Sequence, residues 1–468
     1  MKFLIIMIIC FALTNVYAQF GSFGTIDARS QGLAGTSNSI ARGVYSIGIN
    51  PANLSIDKND FIDFTTVLPF PSTSVNSGTN FITINDINYY FGGVNGESRL
   101  LTEDDKQRFN SLLSGGGLVF INASFSLFSF GINISEDVGA FAISVQDIAG
   151  AKLYIPESLS DIALNGNQQG RTYDLDDTNL KAWWIRNYSL SYSRIIAGNN
   201  SDSFDKLTFG VTGKFITGYS YIGTEKVNCS FATGQGNQIT GQTDLLGYSA
   251  FSDMFGVKYD FDSVKQKSSL GLFPSPAGTG YGFDLGIAGK TGNWGFSIAL
   301  TDIGKITWNN NAAQFSSFGD IYIDDLSNQE QLDTLENRLT GDSQKIHKFT
   351  TSLPTALRAG AHYSFDNGIV PGSLLLALDI DQGFNNLPGN SKYPRLSFGA
   401  EWKPMDWIPY FRTGISYNSE LGIGWGFGVG IDIKIVELHF ASSDMQSFIT
   451  PNHSRHLSFS FGSRWKFN

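Results

Sequence analysis

The chain has 468 residues, of which 16% are charged and 14% aromatic, with 52 glycines and a formal net charge of −10. A soluble chain carries about 25% charged residues to cover its surface, and binding to a phosphate backbone calls for a basic footprint. The composition therefore argues against a soluble multidomain protein and against a nucleic-acid binder, and suits a chain whose outer face meets lipid.

At the N-terminus, Lys2 is followed by an apolar run from Phe3 to Leu13, about the length of a signal-peptide core and too short to span a bilayer. Val16-Tyr17-Ala18 supplies the small residues a signal peptidase reads, so residues 1–18 are expected to be a leader and the mature chain to start at Gln19. The residues before Cys10 form no lipoprotein box, and loss of the leader leaves Cys229 alone. That excludes an intramolecular disulfide and a cysteine-based zinc site. No later stretch approaches the roughly 18 uninterrupted apolar residues a membrane helix requires.

The next segment, residues 19–60, contains QGLAGTSNSIARGVYSIGINPANLS from Gln31 to Ser55. It is too polar and glycine-rich for a stable surface helix and too irregular for a strand. Such a piece needs partners from outside itself, so it is expected to lie enclosed by the remainder of the chain, residues 61–468.

From there the dominant pattern has period two. Candidate strands fall near 61–70, 79–85, 117–125, 127–134, 138–147, 183–196, 205–219, 279–289, 293–301, 355–365, 373–381, 394–402, 408–417, 421–435 and 456–467, with 219–232 and 436–443 as further strands or extensions. Tyr281, Phe283, Leu285 and Ile287 share one face, against Gly282, Asp284, Gly286 and Ala288. Leu421, Ile423, Trp425, Phe427, Val429, Ile431, Ile433 and Ile435 oppose five alternate glycines, Gly422 to Gly430. No helix start follows these glycines, which argues against a dinucleotide loop. An apolar ridge backed by glycine suits a lipid-facing wall that another segment approaches closely from inside. Alternating segments of about ten residues are the signature of a transmembrane β-barrel, here of about 14 strands, with 12 to 16 allowed.

Two segments break the alternation. LTEDDKQRFNSLLSGGG has an N-cap at Thr102 and a glycine stop from Gly115, and DDLSNQEQLDTLENRLTGD carries Leu332, Leu335 and Leu339 on one stripe. Both read as short helices in loops. The histidines show no metal-ligand grouping, His453 and His456 falling on opposite faces of extended chain, and no catalytic serine, cysteine–histidine or zincin pattern is present. The expectation is a non-enzyme without cofactor or metal. Lys214, Asp284, Arg358, His362, Asp379, Arg395, Glu401 and Arg412 fall on faces directed into the lumen. Two roles fit them: pairing with one another or with the enclosed segment, and lining a transport path. At the C-terminus, Leu457, Phe459, Phe461, Trp465 and Phe467 share one face with only Ser463 interrupting.

That closing strand resembles the assembly signal of outer-membrane barrels, carried here by Phe459, Phe461, Trp465 and Phe467, with the last aromatic penultimate before Asn468. The segment before the first strand resembles the hatch of the FadL-type long-chain fatty-acid transporters. Asn50-Pro51-Ala52 matches the hatch triplet, and Gly32, Gly35 and Gly43 match the glycine-rich approach to it. The wider pattern over residues 28–93 looks like an uncharacterised family of Bacteroidota outer-membrane proteins related to FadL and PorV-type barrels. The resemblance implies residence in the outer membrane of a Gram-negative bacterium, insertion by the barrel-assembly machinery, and passive passage of a hydrophobic small molecule gated by the hatch. The alternative is a PorV-like role, in which loops bind a protein or envelope partner.

Overall fold

The structure, a computed structural model, describes residues 27–467 except 58–60, 95–96, 199–203, 235, 237, 258–270, 272, 325–328, 332, 334–340 and 367–369. The expected leader and the Gln19 start lie outside the described residues, as does most of the acidic helix expected over 324–342. What the alternating segments build is one closed antiparallel barrel of 14 strands. They are β1 (Ile62–Thr66 and Thr73–Thr79), β2 (Gly117–Ser135), β3 (Gly139–Ile155), β4 (Asn179–Gly198), β5 (Lys206–Thr233), β6 (Ile239–Phe251 and Gly278–Thr291) and β7 (Trp294–Trp308 and Ala313–Ile323). The ring continues through β8 (Asp342–Lys345, Phe349–Ser352 and Ala356–Asp366), β9 (Ser373–Gly383), β10 (Arg395–Lys403), β11 (Tyr410–Asn418), β12 (Gly422–Ile433), β13 (Val436–Ser442) and β14 (His456–Phe467). Each strand pairs with its chain neighbours, and β1 closes on β14 with Ile62 opposite Phe467.

Parity sorts the side chains as the sequence pattern implies. Tyr281, Phe283, Leu285 and Ile287 are exposed on the outside, whereas Asp284 and Ala288 between them are buried. Gly426 and Gly428 of β12 face inward while Phe427 and Ile431 face out. Short turns join the strands at one end, as at Gly292–Asn293, and the long helix-bearing loops lie at the other. In single-chain barrels these are the periplasmic and extracellular ends. β5 runs for 28 residues, far beyond what a bilayer needs, so its upper part, with those of β6 and β7, stands clear of the ring.

Several details differ from the sequence expectation. The spans 117–125 and 127–134 are one strand, β2, and 239–251 and 313–323 are strand segments outside the expected ones. Residues 79–85 are not a strand: β1 stops at Thr79, and Thr83 caps a helix, Ile84–Phe91. Thr83 Oγ1 accepts from Asp86 N at 3.1 Å and the Asp86 carboxylate accepts from Thr83 N at 3.0 Å, a reciprocal box that fixes a helix start despite the apolar residues around it. The span 61–70 is broken at Thr66 because Pro69 and Pro71 cannot donate to a ladder. Leu421 turns inward, because it precedes the strand and packs against Leu118 and Phe120. The helix expected after Thr102 is present as Glu103–Leu112, with Thr102 as its cap. Ser463, the one interruption in the closing aromatic face, sits where the broken stretch of β1 folds against β14: Ser72 Oγ donates to its carbonyl at 3.2 Å.

Candidate functional site

Residues 27–57 contain one helical turn, Ala28–Gly32, and two 3₁₀ turns, Gly43–Ser46 and Pro51–Leu54. Almost every residue of the segment is buried. The helical turn packs on β11 to β14, the first 3₁₀ turn on β1 to β3, and the second on β4 to β6, while the stretch between them bonds β8, β9 and β10. A segment this short reaches all sides of the ring only from the lumen. Irregular backbone is admissible there because the wall satisfies it.

The Asn-Pro-Ala triplet shows how. Asn50 Oδ1 accepts from Ala52 N at 2.9 Å, capping the second 3₁₀ turn, and Pro51 fills the first turn position, where no donor is needed. Asn50 Nδ2 donates outward to the carbonyl oxygen of Ile287 at 3.1 Å, and the Ala52 carbonyl accepts from Ser193 Oγ at 3.0 Å and Thr208 Oγ1 at 2.9 Å. The triplet is therefore bonded to β4, β5 and β6 at once. The wall is glycine where it comes closest, since a β-carbon on Gly210 or Gly286 would overlap Pro51 or Asn50.

On the opposite side the helical turn lies on the glycine face of β12. A β-carbon on Gly32 would stand 3.0 Å from Gly428 Cα. Gly35, at φ +88°, turns the chain so that its carbonyl accepts from Arg395 Nη2 at 3.2 Å, and at Gly43, φ +53°, any side chain would collide with Asp63.

The eight polar positions expected in the lumen are all buried there. Glu401 is forked by Arg29, with both contacts at 2.8 Å, and accepts from Arg412 Nε at 2.5 Å. Asp379 Oδ2 accepts from Ser37 N at 2.6 Å and Asn38 N at 2.7 Å. His362 Nδ1 lies 3.0 Å from Ser39 Oγ, and Arg395 also pairs with Asp381. These five, Arg412 included, thus surround the enclosed segment. The other three sit above it: Lys214 Nζ bridges Asp284 at 2.7 Å and Asp302 at 2.6 Å, and Arg358 Nε donates to Thr301 Oγ1 at 3.3 Å.

Sequence reading missed Arg29, Arg42, Asp57, Asp63, Asp302 and Arg464. Asp302 is hidden by a bulge between Leu300 and Ile303 that breaks parity, and the N-terminal charges lie in backbone with no period. At the short-turn end Asp57 is clasped by Arg42 at 2.5 Å and Lys290 at 3.3 Å. Burial alone would raise the Asp57 carboxyl, but the two cations hold it well below the usual carboxylate range. There the segment and the wall leave a cavity of about 240 Å³ lined by both signs of charge, including Arg29, Asp57, Glu401 and Arg464.

Toward the long-loop end the lumen changes character. Ile148, Trp183, Ile216, Tyr221, Ile306, Trp308 and Phe349, inward-facing residues of β3, β4, β5, β7 and β8, form a buried apolar cluster with Leu353, which follows the second segment of β8. Trp308 is fully buried at its centre. From bottom to top the lumen thus holds a polar vestibule, the enclosed segment, a layer of paired charges and a packed apolar cluster. Among the described residues no group of three or more His, Cys, Asp or Glu side chains is placed to hold a metal ion.

Residues 60–443 match the model of a family described as a family of unknown function, DUF5723. No curated protein matches the chain. Among solved structures it is similar to the P. putida toluene transporter TodX at 13% identity and a TM-score of 0.46, covering 96% of this chain and 100% of that one. It is similar to the Ralstonia pickettii toluene transporter TbuX at 14% identity and a TM-score of 0.46, with coverage of 96% and 100%. The translocator domain of the autotransporter NalP from Neisseria meningitidis follows at 8% identity, a TM-score of 0.31 and coverage of 88% and 91%.

Proposed function

The chain belongs to DUF5723, a family of unknown function, and from the geometry of its lumen we propose that it is an outer-membrane barrel passing hydrophobic small molecules, with residues 27–57 as the hatch. The observation that carries this reading is the apolar cluster inside the upper lumen. Inward faces of a water-filled porin are polar, yet here inward positions on five strands hold isoleucine, tryptophan, tyrosine and phenylalanine. An apolar compound entering it would gain about 25 cal/mol for each Å² removed from water. The hatch then lies between this cluster, with the paired charges beneath it, and the polar vestibule below, and its movement would be part of any path through the lumen. Its attachments support such a role, because they are side-chain bonds and glycine contacts that leave the strand ladders of the wall intact.

A second reading, a barrel that binds a protein or envelope partner, is favoured by the part of β5, β6 and β7 that stands clear of the ring. Phe318 and Tyr322 project from its outer face. The two readings separate in one experiment. Cells carrying the chain should accumulate a fatty acid or an aromatic hydrocarbon faster than cells with an empty vector. Equal accumulation across chemically different probes would remove the passage reading and leave the partner-binding one.

A further inference from the structure

The apolar cluster is covered by a segment that belongs to neither the wall nor the hatch. The loop between β9 and β10, residues 384–394, leaves one side of the ring and ends against β3 on the far side. A β-carbon on Gly150 of β3 would stand 2.7 Å from Pro388 Cβ. Two asparagines tie the loop to the chain just before the last segment of β8: Asn385 Nδ2 donates to the Leu353 carbonyl at 2.7 Å and Asn390 Nδ2 to the Thr355 carbonyl at 3.1 Å. The next residue joins a small polar latch: Ser391 Oγ donates to Glu420 Oε2 at 2.9 Å, and Lys152 of β3 pairs with Glu420 at 3.0 Å. Between Asn385 and Asn390, Leu387 is 6% exposed, a member of the apolar cluster formed by the wall.

Building on the passage reading, we infer that residues 384–394 are a lid and that Leu387 occupies the seat of an uncharged apolar ligand. Leu387 is the one side chain of the loop in that cluster, so raising the lid opens an apolar site of leucine size or larger, with Trp308, Tyr221 and Phe349 around it. The polar atoms of two of these rings are engaged sideways: Trp308 Nε1 donates to Thr351 Oγ1 at 2.9 Å and Tyr221 OH to Glu225 Oε1 at 2.9 Å. The cations beneath the cluster, Lys214 and Arg358, share one layer with Asp284 and Asp302, and Lys214 bridges both carboxylates. A carboxylate seated above would lose its water and find these cations already balanced, which costs more than it returns. A neutral ring or branched hydrocarbon meets no such penalty.

The test uses the full chain folded in detergent, titrated with naphthalene and with 2-naphthoate, which share a skeleton and differ in charge. Leu387→Ala should bind naphthalene about tenfold more tightly than wild type, because the competitor for the seat is gone. Leu387→Met, which keeps the volume, should bind as wild type does, and 2-naphthoate should bind weakly to all three. A Gly150→Cys/Pro388→Cys pair should lose naphthalene binding on oxidation and regain it on reduction. Equal naphthalene affinity in wild type and Leu387→Ala, with no effect of the cross-link, would overturn the lid while leaving the passage reading standing. Tight binding of 2-naphthoate would overturn the preference for an uncharged ligand. Tighter naphthalene binding by Leu387→Ala without cellular uptake by wild type would uphold the seat and remove the passage reading instead.

Discussion

Gly286 of β6 faces Asn50 so closely that a β-carbon on the glycine would occupy the place of the Asn50 side-chain oxygen. The wall residue and the hatch residue are thus two halves of one fitting: the amide caps its own turn and reaches the β6 backbone only because no side chain intervenes. Gly286→Ala should therefore dislodge the turn Pro51–Leu54 while the strand ladder of β6 survives. Gly213→Ala, at a position with open space around it, should be silent. Hydrogen exchange at the Ala52 amide, combined with heat-modifiable gel mobility, reports the two effects separately. Asn50→Ala should speed the same exchange and cost about 1 kcal/mol for the lost cap.

Glu401 holds Arg29 of the hatch and Arg412 of β11 in one buried cluster. Glu401→Gln removes the charge that both guanidinium groups face, and breaking a buried pair in this way typically costs about 3–5 kcal/mol. The expected outcome is a barrel that still inserts but whose helical turn Ala28–Gly32 is released, read as protease cleavage near Arg29 that wild type resists.

The clasp of Asp57 by Arg42 and Lys290 gives a pH dependence with a definite sign. A carboxyl whose folded value is depressed contributes fully above its unfolded value, near 3.9, and the contribution is lost as pH falls through the folded value. Exposure of the lower hatch to protease should thus stay constant from neutral pH down to about 4 and rise only in stronger acid. Asp57→Asn should show the released behaviour already at neutral pH. A wild-type transition centred between pH 5 and 7 would count against the clasp.

Neighbouring residues of β12 should respond to substitution in opposite ways. Phe427 is 37% exposed on the outer face, and arginine there should cost about 2–4 kcal/mol if the position lies near the bilayer midplane. Gly428 faces Gly32, and a β-carbon on it would stand 3.1 Å from Gly32 Cα. Gly428→Ala should leave insertion unchanged and loosen the hatch. Urea titration in bilayers distinguishes lost wall stability from a lost hatch contact.

What the sequence reveals here follows parity. Wherever a strand keeps strict alternation, as in β6, β10 and β12, the lumenal charges and the glycine face can be read directly, because successive side chains must point to opposite sides. Asp302 escapes because one bulge shifts its parity, and the 79–85 span misleads because a capping box outweighs a short apolar run. Arg29 and Asp57 escape for a different reason: Glu401 and Lys290, their wall partners, lie hundreds of positions away, across a lumen that exists only once the ring has closed, and Arg42 pairs with Asp57 in backbone that has no period. Leu387 sits in a loop whose composition, rich in asparagine, glycine and proline, signals a turn but not where the turn is folded.

The pairing of Ile62 with Phe467 also constrains how the molecule comes into being. The ring is sealed by its first and last strands, so the wall is an open sheet until the final residues arrive. The hatch precedes β1 in the chain, and it bonds strands on every side of the finished ring. Joining such distant partners is the slow part of folding, since loop closure precedes the contacts that reward it. A hatch that docks before the seam closes would bring those strands together, with Asp379 and Glu401 taking up their hatch partners first. The expected outcome is that a chain lacking residues 27–57 closes more slowly than the full one, measured as the rate at which heat-modifiable gel mobility appears; equal rates would show that the plug of the finished barrel is not also the mandrel on which it is wound.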